Sequence, residues 1–274
     1  MKTCYLILSA CALMATAGCM KDREGPEPPT RPQWLISRMV QITEYYGGNP
    51  LPGDPPFSRS KLLWEISYNS YYKPVTRHTY VSAARNDTVN LRLSSVDSLV
   101  YDGQFRVKEV YTTEAGGTVY ARTYHYEGND TLPFSITYGT GQTLYTYGPD
   151  TVRVIFENPK SGLDTTWYVY ENDNLKRSIT PLYTTEIYDE YDNGPVIESC
   201  MNLQLSGIFN LPFHMNGTPR LSKGNWGVNL FMDQVHRSVL YNEQGLPVAS
   251  TAAVYVPSVE RYRSRFEYIA TQAN

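Results

Sequence analysis

Six tyrosines stand directly before turn-forming residues at a near-constant interval. They open Tyr101-Asp102-Gly103, Tyr126-Glu127-Gly128, Tyr147-Gly148-Pro149, Tyr170-Glu171-Asn172, Tyr191-Asp192-Asn193 and Tyr241-Asn242-Glu243. The first five lie 25, 21, 23 and 21 residues apart, and the sixth follows after 50, about two intervals. Such an interval holds two strands of roughly eight residues and two turns. That unit is a β-hairpin, which is not stable alone in water. Hairpins repeated in this way must lie side by side, so the repeat predicts an antiparallel meander.

The segments between the turns carry strand chemistry. The chain holds 24 tyrosines, most of them beside Thr, Val and Ile. Aromatic and β-branched side chains suit a pleated, half-buried surface. Val152, Val154 and Phe156 alternate with Arg153 and Glu157. Leu62, Trp64, Ile66 and Tyr68 alternate with Leu63, Glu65 and Ser67, and Val89, Leu91 and Leu93 with Asn90, Arg92 and Ser94. A period of two is the mark of a strand with one buried face. No comparable helical stripe occurs. The expected fold is all-β: an antiparallel meander of about 12–14 strands, curled into an open or closed barrel so that no long edge stays exposed. One stretch breaks the pattern. Residues 204–235 begin apolar, from Gln204 to Phe213, and continue through Pro219 and Gly224-Asn225-Trp226-Gly227. They predict a short irregular or helical insert that plugs one end of the sheet.

The N-terminus predicts location. Lys2 precedes an apolar run, Tyr5 to Ala15, too short to span a bilayer, and Thr16-Ala17-Gly18-Cys19 follows. This ending resembles a bacterial lipobox, which implies cleavage before Cys19 and acylation of that residue. The reading is then residues 1–18 as a lipoprotein signal peptide, 19–33 as acylated Cys19 and a Pro-rich tether, and 34–274 as a single repeat-built β domain. Several acyl chains at about 0.8 kcal/mol per buried methylene anchor a protein without any segment in the bilayer. Lys21-Asp22-Arg23-Glu24 beside the anchor resembles the charged export tag of Bacteroidota surface lipoproteins.

The Tyr-x-Tyr-acid/amide units, as in Tyr124-His125-Tyr126-Glu127-Gly128 and Tyr168-Val169-Tyr170-Glu171-Asn172, look like YD-type repeats. With the lipobox and the acidic tether they resemble an uncharacterised group of Bacteroidota lipoproteins. That resemblance covers about residues 60–270 and implies a porin-like β-meander in the outer membrane, lipid-anchored at the cell surface. It implies no activity.

Motifs for chemistry are sparse. With the leader removed and Cys19 acylated, Cys200 is the remaining thiol and is expected to be a small buried residue. His78, His125, His214 and His236 lack zinc-ligand spacing. Glu186, Glu190 and Asp192 would share a strand face, without a calcium-loop pattern around them. No nucleophile elbow, phosphate loop or dinucleotide fingerprint is present. A net charge of −3 gives no nucleic-acid footprint. No cofactor and no metal site are expected.

Aromatic side chains are the remaining candidates. Trp64 and Trp167 sit in alternating runs and are expected in the core. Trp226 stands between glycines in the insert and is the candidate ligand contact, with Tyr145 and Tyr168 behind it. The leading expectation is a non-enzymatic binding module held on the membrane by lipid, taking a glycan or an envelope protein. One alternative is an integral outer-membrane β-barrel, which needs a continuous lipid-facing apolar band. The other is a glycan hydrolase whose acids meet only in the fold.

Overall fold

The computed structural model of the chain describes residues 34–47, 54–158, 162–180, 185–209, 220–222, 224–225, 228–229, 235–254 and 259–271. The leader, Cys19, the tether, His214 and Trp226 lie outside the described residues. The strands run in order β1 (Trp34–Tyr46), β2 (Ser58–Tyr68), β3 (Pro74–Ser82), β4 (Leu91–Tyr101), β5 (Val107–Glu114), β6 (Val119–His125), β7 (Ser135–Tyr138) and β8 (Gly141–Tyr147). They continue as β9 (Thr151–Asn158), β10 (Gly162–Glu171), β11 (Asn174–Ile179) and β12 (Glu186–Asp189). A single helical turn, α1 (Ile197–Cys200), precedes β13 (Val228–Asn229), β14 (Val235–Tyr241), β15 (Pro247–Val254) and β16 (Val259–Ala270). Thirteen of these strands exceed four residues, in line with the number read from the repeat.

Each strand pairs antiparallel with the next, and β16 returns to β1 along its length, from Trp34↔Ala270 to Tyr46↔Val259. The meander is thus curled into a barrel. Its narrowest ladders, of two residue pairs each, join β11 to β12, β12 to β13 and β13 to β14.

Register divides the side chains. On β16, Arg261, Arg263, Arg265 and Glu267 are exposed, while Ser264 and Phe266 between them are buried. On β9, Val152 and Val154 turn inward, and on β2 Trp64 and Ile66 do so. Trp167 departs from expectation. It faces outward and is 36% exposed, because Tyr170 is buried and sets the parity of β10. Val89, Leu91 and Leu93 also depart. An irregularity between Thr79 and Tyr80 shifts the β3–β4 register, and Val89 and Leu93 are exposed.

Four of the six repeat tyrosines, Tyr101, Tyr126, Tyr147 and Tyr191, share one structural role with Tyr68 and Tyr268. Each stands at the lower end of a downward strand, and its ring lies inside. Tyr101, Tyr126, Tyr147 and Tyr268 donate their hydroxyls to the carbonyls of Pro74, Val107, Pro133 and Pro247 at 2.8, 2.8, 2.6 and 2.6 Å. Tyr68 reaches Ile36 O and Tyr191 reaches Leu175 O in the same way. The acceptor lies at or near the start of the strand that pairs with the tyrosine's own strand. The hydroxyl therefore clamps the open end of these six hairpins.

The residue after the tyrosine shapes the turn. Asp102 Oδ1 accepts the backbone N–H of Gln104 and Arg106, both at 2.9 Å. Asn69 serves Tyr71 and Lys73, and Asn242 serves Gln244 and Leu246, in the same pattern. An acid or amide here replaces backbone partners that a short loop lacks. The fourth turn residue is left-handed in all three, at Tyr72, Phe105 and Gly245. Glycine adopts that conformation without strain. Phe105 is held there against the Tyr71 ring, 4.9 Å away.

The insert begins earlier than the sequence pattern indicated, directly after β12 rather than at 204. Ile197, Cys200 and Met201 turn into the barrel with Leu203, Leu205, Ile208 and Phe209. There they join Ile36, Met39, Trp64, Ile66, Val110 and Phe266 in one core cluster. The driving force is apolar burial, at about 1.5–3 kcal/mol for each large side chain. The insert plugs the tyrosine end.

Tyr101→Phe keeps the ring and removes the clamp, leaving the Pro74 carbonyl without its donor. We expect a loss of about 1 kcal/mol in urea unfolding, against no measurable loss for the exposed Tyr111→Phe. Burial also raises the phenol pKa of Tyr68, Tyr101, Tyr126, Tyr147 and Tyr268 above the ordinary value of 10.0. The folded chain holds these protons more tightly than the unfolded chain, so their contribution is complete below pH 10 and is lost as pH rises past it. The urea midpoint should stay level from pH 7 to about 9 and fall steeply above about 10. Tyrosinate absorbance from these rings should appear only with unfolding.

Candidate functional site

An irregular backbone inside a barrel brings buried carbonyls that no strand can satisfy. Inward arginines supply the donors. Arg122 contacts Gly207 O at 3.2 Å and Ile208 O at 2.8 Å, and Arg77 donates to Phe209 O. Lys73 Nζ reaches Asn202 Oδ1 at 3.2 Å, and Asn202 returns a bond to Tyr72 O at 2.9 Å. Arg77 is itself compensated. Its guanidinium meets Asp97 Oδ2 at 2.6 and 2.8 Å, and lies 4.4 Å from the Trp64 ring centroid and 4.7 Å from that of Phe209. Thr112 donates to the other Asp97 oxygen at 2.6 Å.

Above this layer the lumen opens. A cavity of about 760 Å³ lies between β5 and β9, at the end opposite the tyrosine turns. Thr112, Tyr120, Arg122, Tyr138, Gly141 and Phe156 line it. Tyr138 and Phe156 stack with centroids 5.8 Å apart and planes 13° from parallel. Tyr138 is held at its hydroxyl by Thr143 Oγ1, 3.0 Å away. Gly141 makes room for this ring, since a Cβ there would come within 2.8 Å of Tyr138 Cε2. Tyr120 stands at the rim, 53% exposed. The cavity is a well with an aromatic wall, hydroxyls and one guanidinium. The Arg122 side chain that lines it also binds the insert.

The candidates from sequence fall unevenly around this well. Tyr145 and Tyr168 point inward as neighbours, but they pack below it against Val152, Val154, Tyr170 and Leu175. Burial raises both phenols. The acids do not converge. Glu186 accepts from Ser178 at 3.0 Å and from Tyr188, whereas Asp192 accepts from Tyr241 and from Asn225 N at 3.0 Å. Among the described residues no group of three His, Cys, Asp or Glu side chains is placed to hold a metal ion. Cys200 is buried in the plug cluster, and burial pushes its thiol up to about 11. His78 stacks on Tyr80, and His125 lies 3.2 Å from Thr137 Oγ1.

Sequence reasoning missed Tyr120, Arg122, Tyr138 and Phe156 as a group. The available signal was parity. Tyr124 and Tyr126 are inward, so Arg122 and Tyr120 are inward as well.

The outward face is charged across the barrel wall. Arg38 pairs with Glu267 at 3.1 Å, and Lys176 with Asp189 at 2.8 Å. Arg263 and Arg59 both hold Glu44. Charged side chains on a lipid-facing surface cost up to about 2–4 kcal/mol each near the bilayer midplane. The paired charges on β1, β2, β16 and β11–β12 are suited to water rather than lipid. No helix among the described residues is long and apolar enough to cross a membrane.

No protein-family model and no curated protein sequence matches the chain. Among solved structures it is similar to a porin-like protein from Bacteroides uniformis, at 8% identity and a TM-score of 0.45, over 89% of this chain and 100% of that one. It is also similar to a porin-like protein from Bacteroides vulgatus, at 14% identity and a TM-score of 0.37, over 86% of this chain and 98% of that one.

Asp97→Ala leaves the Arg77 guanidinium buried without its carboxylate. We expect a loss of about 3–5 kcal/mol in urea unfolding. Thr112→Val, which removes a single donor to Asp97, should lose only about 1–2 kcal/mol.

Proposed function

We propose that this chain is a lipid-anchored outer-membrane lipoprotein, displayed at the cell surface through Cys19, that acts as a non-enzymatic binding module for a glycan or protein ligand. The observation that carries this reading is that the barrel is blind. Its tyrosine end is filled by the insert, and its other end opens into the aromatic well. A closed floor suits capture rather than conduction.

The tether geometry supports the same reading. β1 begins at Trp34, opposite Ala270 at the tyrosine end. A tether from Cys19 to residue 33 would leave from there, and the well would face away from the membrane. Stacked rings with nearby hydroxyls and a guanidinium suit a sugar, whose apolar face can lie on an aromatic surface while its hydroxyls find partners. The non-enzymatic reading is supported by the structural duties of Asp97 and Glu186. The Tyr-rich repeat and the lipobox support membership of the Bacteroidota lipoproteins that the sequence resembles.

Two measurements test this reading. Protease added to intact cells should digest the wild-type domain, and Cys19→Ala should release it from membranes. Protection until lysis, or attachment without Cys19, would remove the surface-lipoprotein reading. Against a glycan panel, Phe156→Ala should weaken the best binder by on the order of tenfold while leaving the unfolding midpoint near that of wild type. Unchanged binding would remove the well as the site.

A further inference from the structure

A second feature lies on the outside of the barrel and takes no part in the well. Arg261, Arg263 and Arg265 occupy successive outward positions of β16, and all three are exposed. Such positions are about 6.8 Å apart along a strand, so the three guanidinium groups form a row about 13 Å long. The neighbouring strand is low. Ala249, Thr251 and Ala253 of β15 lie opposite Arg265, Arg263 and Arg261 in register. Beyond them β14 presents His236 and Ser238, paired with Ala253 and Thr251. Small side chains between two taller rows leave a groove of about 380 Å³, lined on this face by His236, Ser238, Thr251, Ala253, Arg261 and Arg263.

The arginine row is held in place by its surroundings. The Arg261 guanidinium lies over the Tyr46 ring, 4.8 Å from its centroid. Arg263 donates to Glu44 Oε2 at 2.6 Å, while Arg59 binds Glu44 Oε1 at 3.0 Å. The Tyr46 hydroxyl donates to the same carboxylate at 3.2 Å. Glu44 is on the outward face, yet its side chain is only 4% exposed, because the arginines cover it. This carboxylate orients cations that would otherwise sweep through solvent, and ordering them in advance lowers the entropy lost on binding. The Arg265 side chain has no hydrogen-bond or ion-pair partner among the described residues. Around the row, the outward positions of β16, β1 and β2 carry Arg38, Arg59, Lys61 and the three arginines against Glu44, Glu65 and Glu267. This local excess of positive charge stands out in a chain whose net charge is −3.

We propose that this groove binds an acidic polysaccharide, one that carries carboxylates along its length. Guanidinium groups match carboxylates in shape and can bind them through two parallel hydrogen bonds. The floor adds hydroxyls, with Ser238 Oγ and Thr251 Oγ1 2.7 Å apart, and these suit sugar hydroxyls. The low strand lets a polymer lie along the row. The His236 imidazole is the one ring on this face of the groove, so a nucleic acid would gain phosphate contacts with little base stacking. The ring of strands offers no free edge here for an acidic peptide to join as a strand.

The test uses the full-length chain in non-ionic detergent, with polygalacturonate as the acidic probe and dextran as the neutral one. Wild type should bind polygalacturonate at low ionic strength, lose it steeply as salt rises, and ignore dextran. Arg265→Glu, at a side chain without a partner, should weaken binding at least tenfold and leave the unfolding midpoint unchanged. Arg153→Glu, exposed on β9 across the barrel, should bind like wild type, and so should Phe156→Ala in the well. The proposal is overturned if polygalacturonate does not bind, if Arg153→Glu weakens it as much as Arg265→Glu, or if only Phe156→Ala abolishes it. Oligothymidine bound as tightly as polygalacturonate would replace the glycan assignment with a nucleic-acid one.

Discussion

A phenol hydroxyl buried at the foot of six of the hairpins is the interaction on which this barrel depends. A hairpin has one closed end, at its turn, and one open end where the strands can fray. Here Tyr68, Tyr101, Tyr126, Tyr147, Tyr191 and Tyr268 tie the open ends by donating to carbonyls on the paired strands. The ring that delivers the hydroxyl also fills the lumen, so one residue type supplies both apolar volume and a directed hydrogen bond. Two exceptions follow the same logic. Tyr170 donates to Arg220 O at 3.2 Å, and Tyr241 donates to Asp192, so both attach to the insert instead of a hairpin partner. Where the insert interrupts the meander, the clamp secures the insert.

The insert needs the polar interior as much as the apolar one. A hydrophobic lumen would accept Ile197, Leu205, Ile208 and Phe209 but leave the backbone of 202–209 without partners. Arg77, Arg122 and Lys73 meet that need, and Asp97 makes a buried Arg77 tolerable. Charge therefore sits inside this barrel for a structural reason. The two layers then set the character of the lumen. Below, side chains and insert fill the space. Above, Tyr138 and Phe156 are left with an open face.

How much of this was legible depends on the range of the interaction. The repeat and the alternation of residues such as Val152, Val154 and Phe156 are local, so the meander and the strand number could be read directly. The inward parity of each strand was also available, because a repeat tyrosine marks the inner face. Applied to β10, that rule puts Trp167 outside and Tyr168 inside, which an argument from aromatic burial alone reverses. The insert boundary was not legible. Val196, Ile197 and Cys200 have the composition of a strand, and only the end of pairing after Asp189 turns them inward. The well was hidden for a different reason. Thr112, Arg122, Tyr138 and Phe156 come from strands that pair in sequence, but their convergence depends on the curvature of the sheet, which has no signature in any one segment.

The two ends of the barrel differ in a way that bears on which end meets a ligand. Among large apolar side chains, Phe57, Val89, Val119, Tyr120 and Leu163 are exposed by 63, 82, 56, 53 and 73%. All five lie at strand ends or turns around the open mouth. At the tyrosine end the clamping rings are folded inward and hydrogen-bonded, while Leu240, Tyr71, Phe134 and Ile269 are exposed there by 60, 49, 45 and 43%. Exposed apolar side chains thus stand at both ends, and scattered exposure needs no explanation; what is particular to the open mouth is that Val119 and Tyr120 adjoin the aromatic well. A rim of this kind around an aromatic well gains most when something covers both together. A ligand confined to the well would leave Phe57, Val89 and Leu163 in water. A polymer or protein surface that reached across the mouth would bury them along with Tyr120.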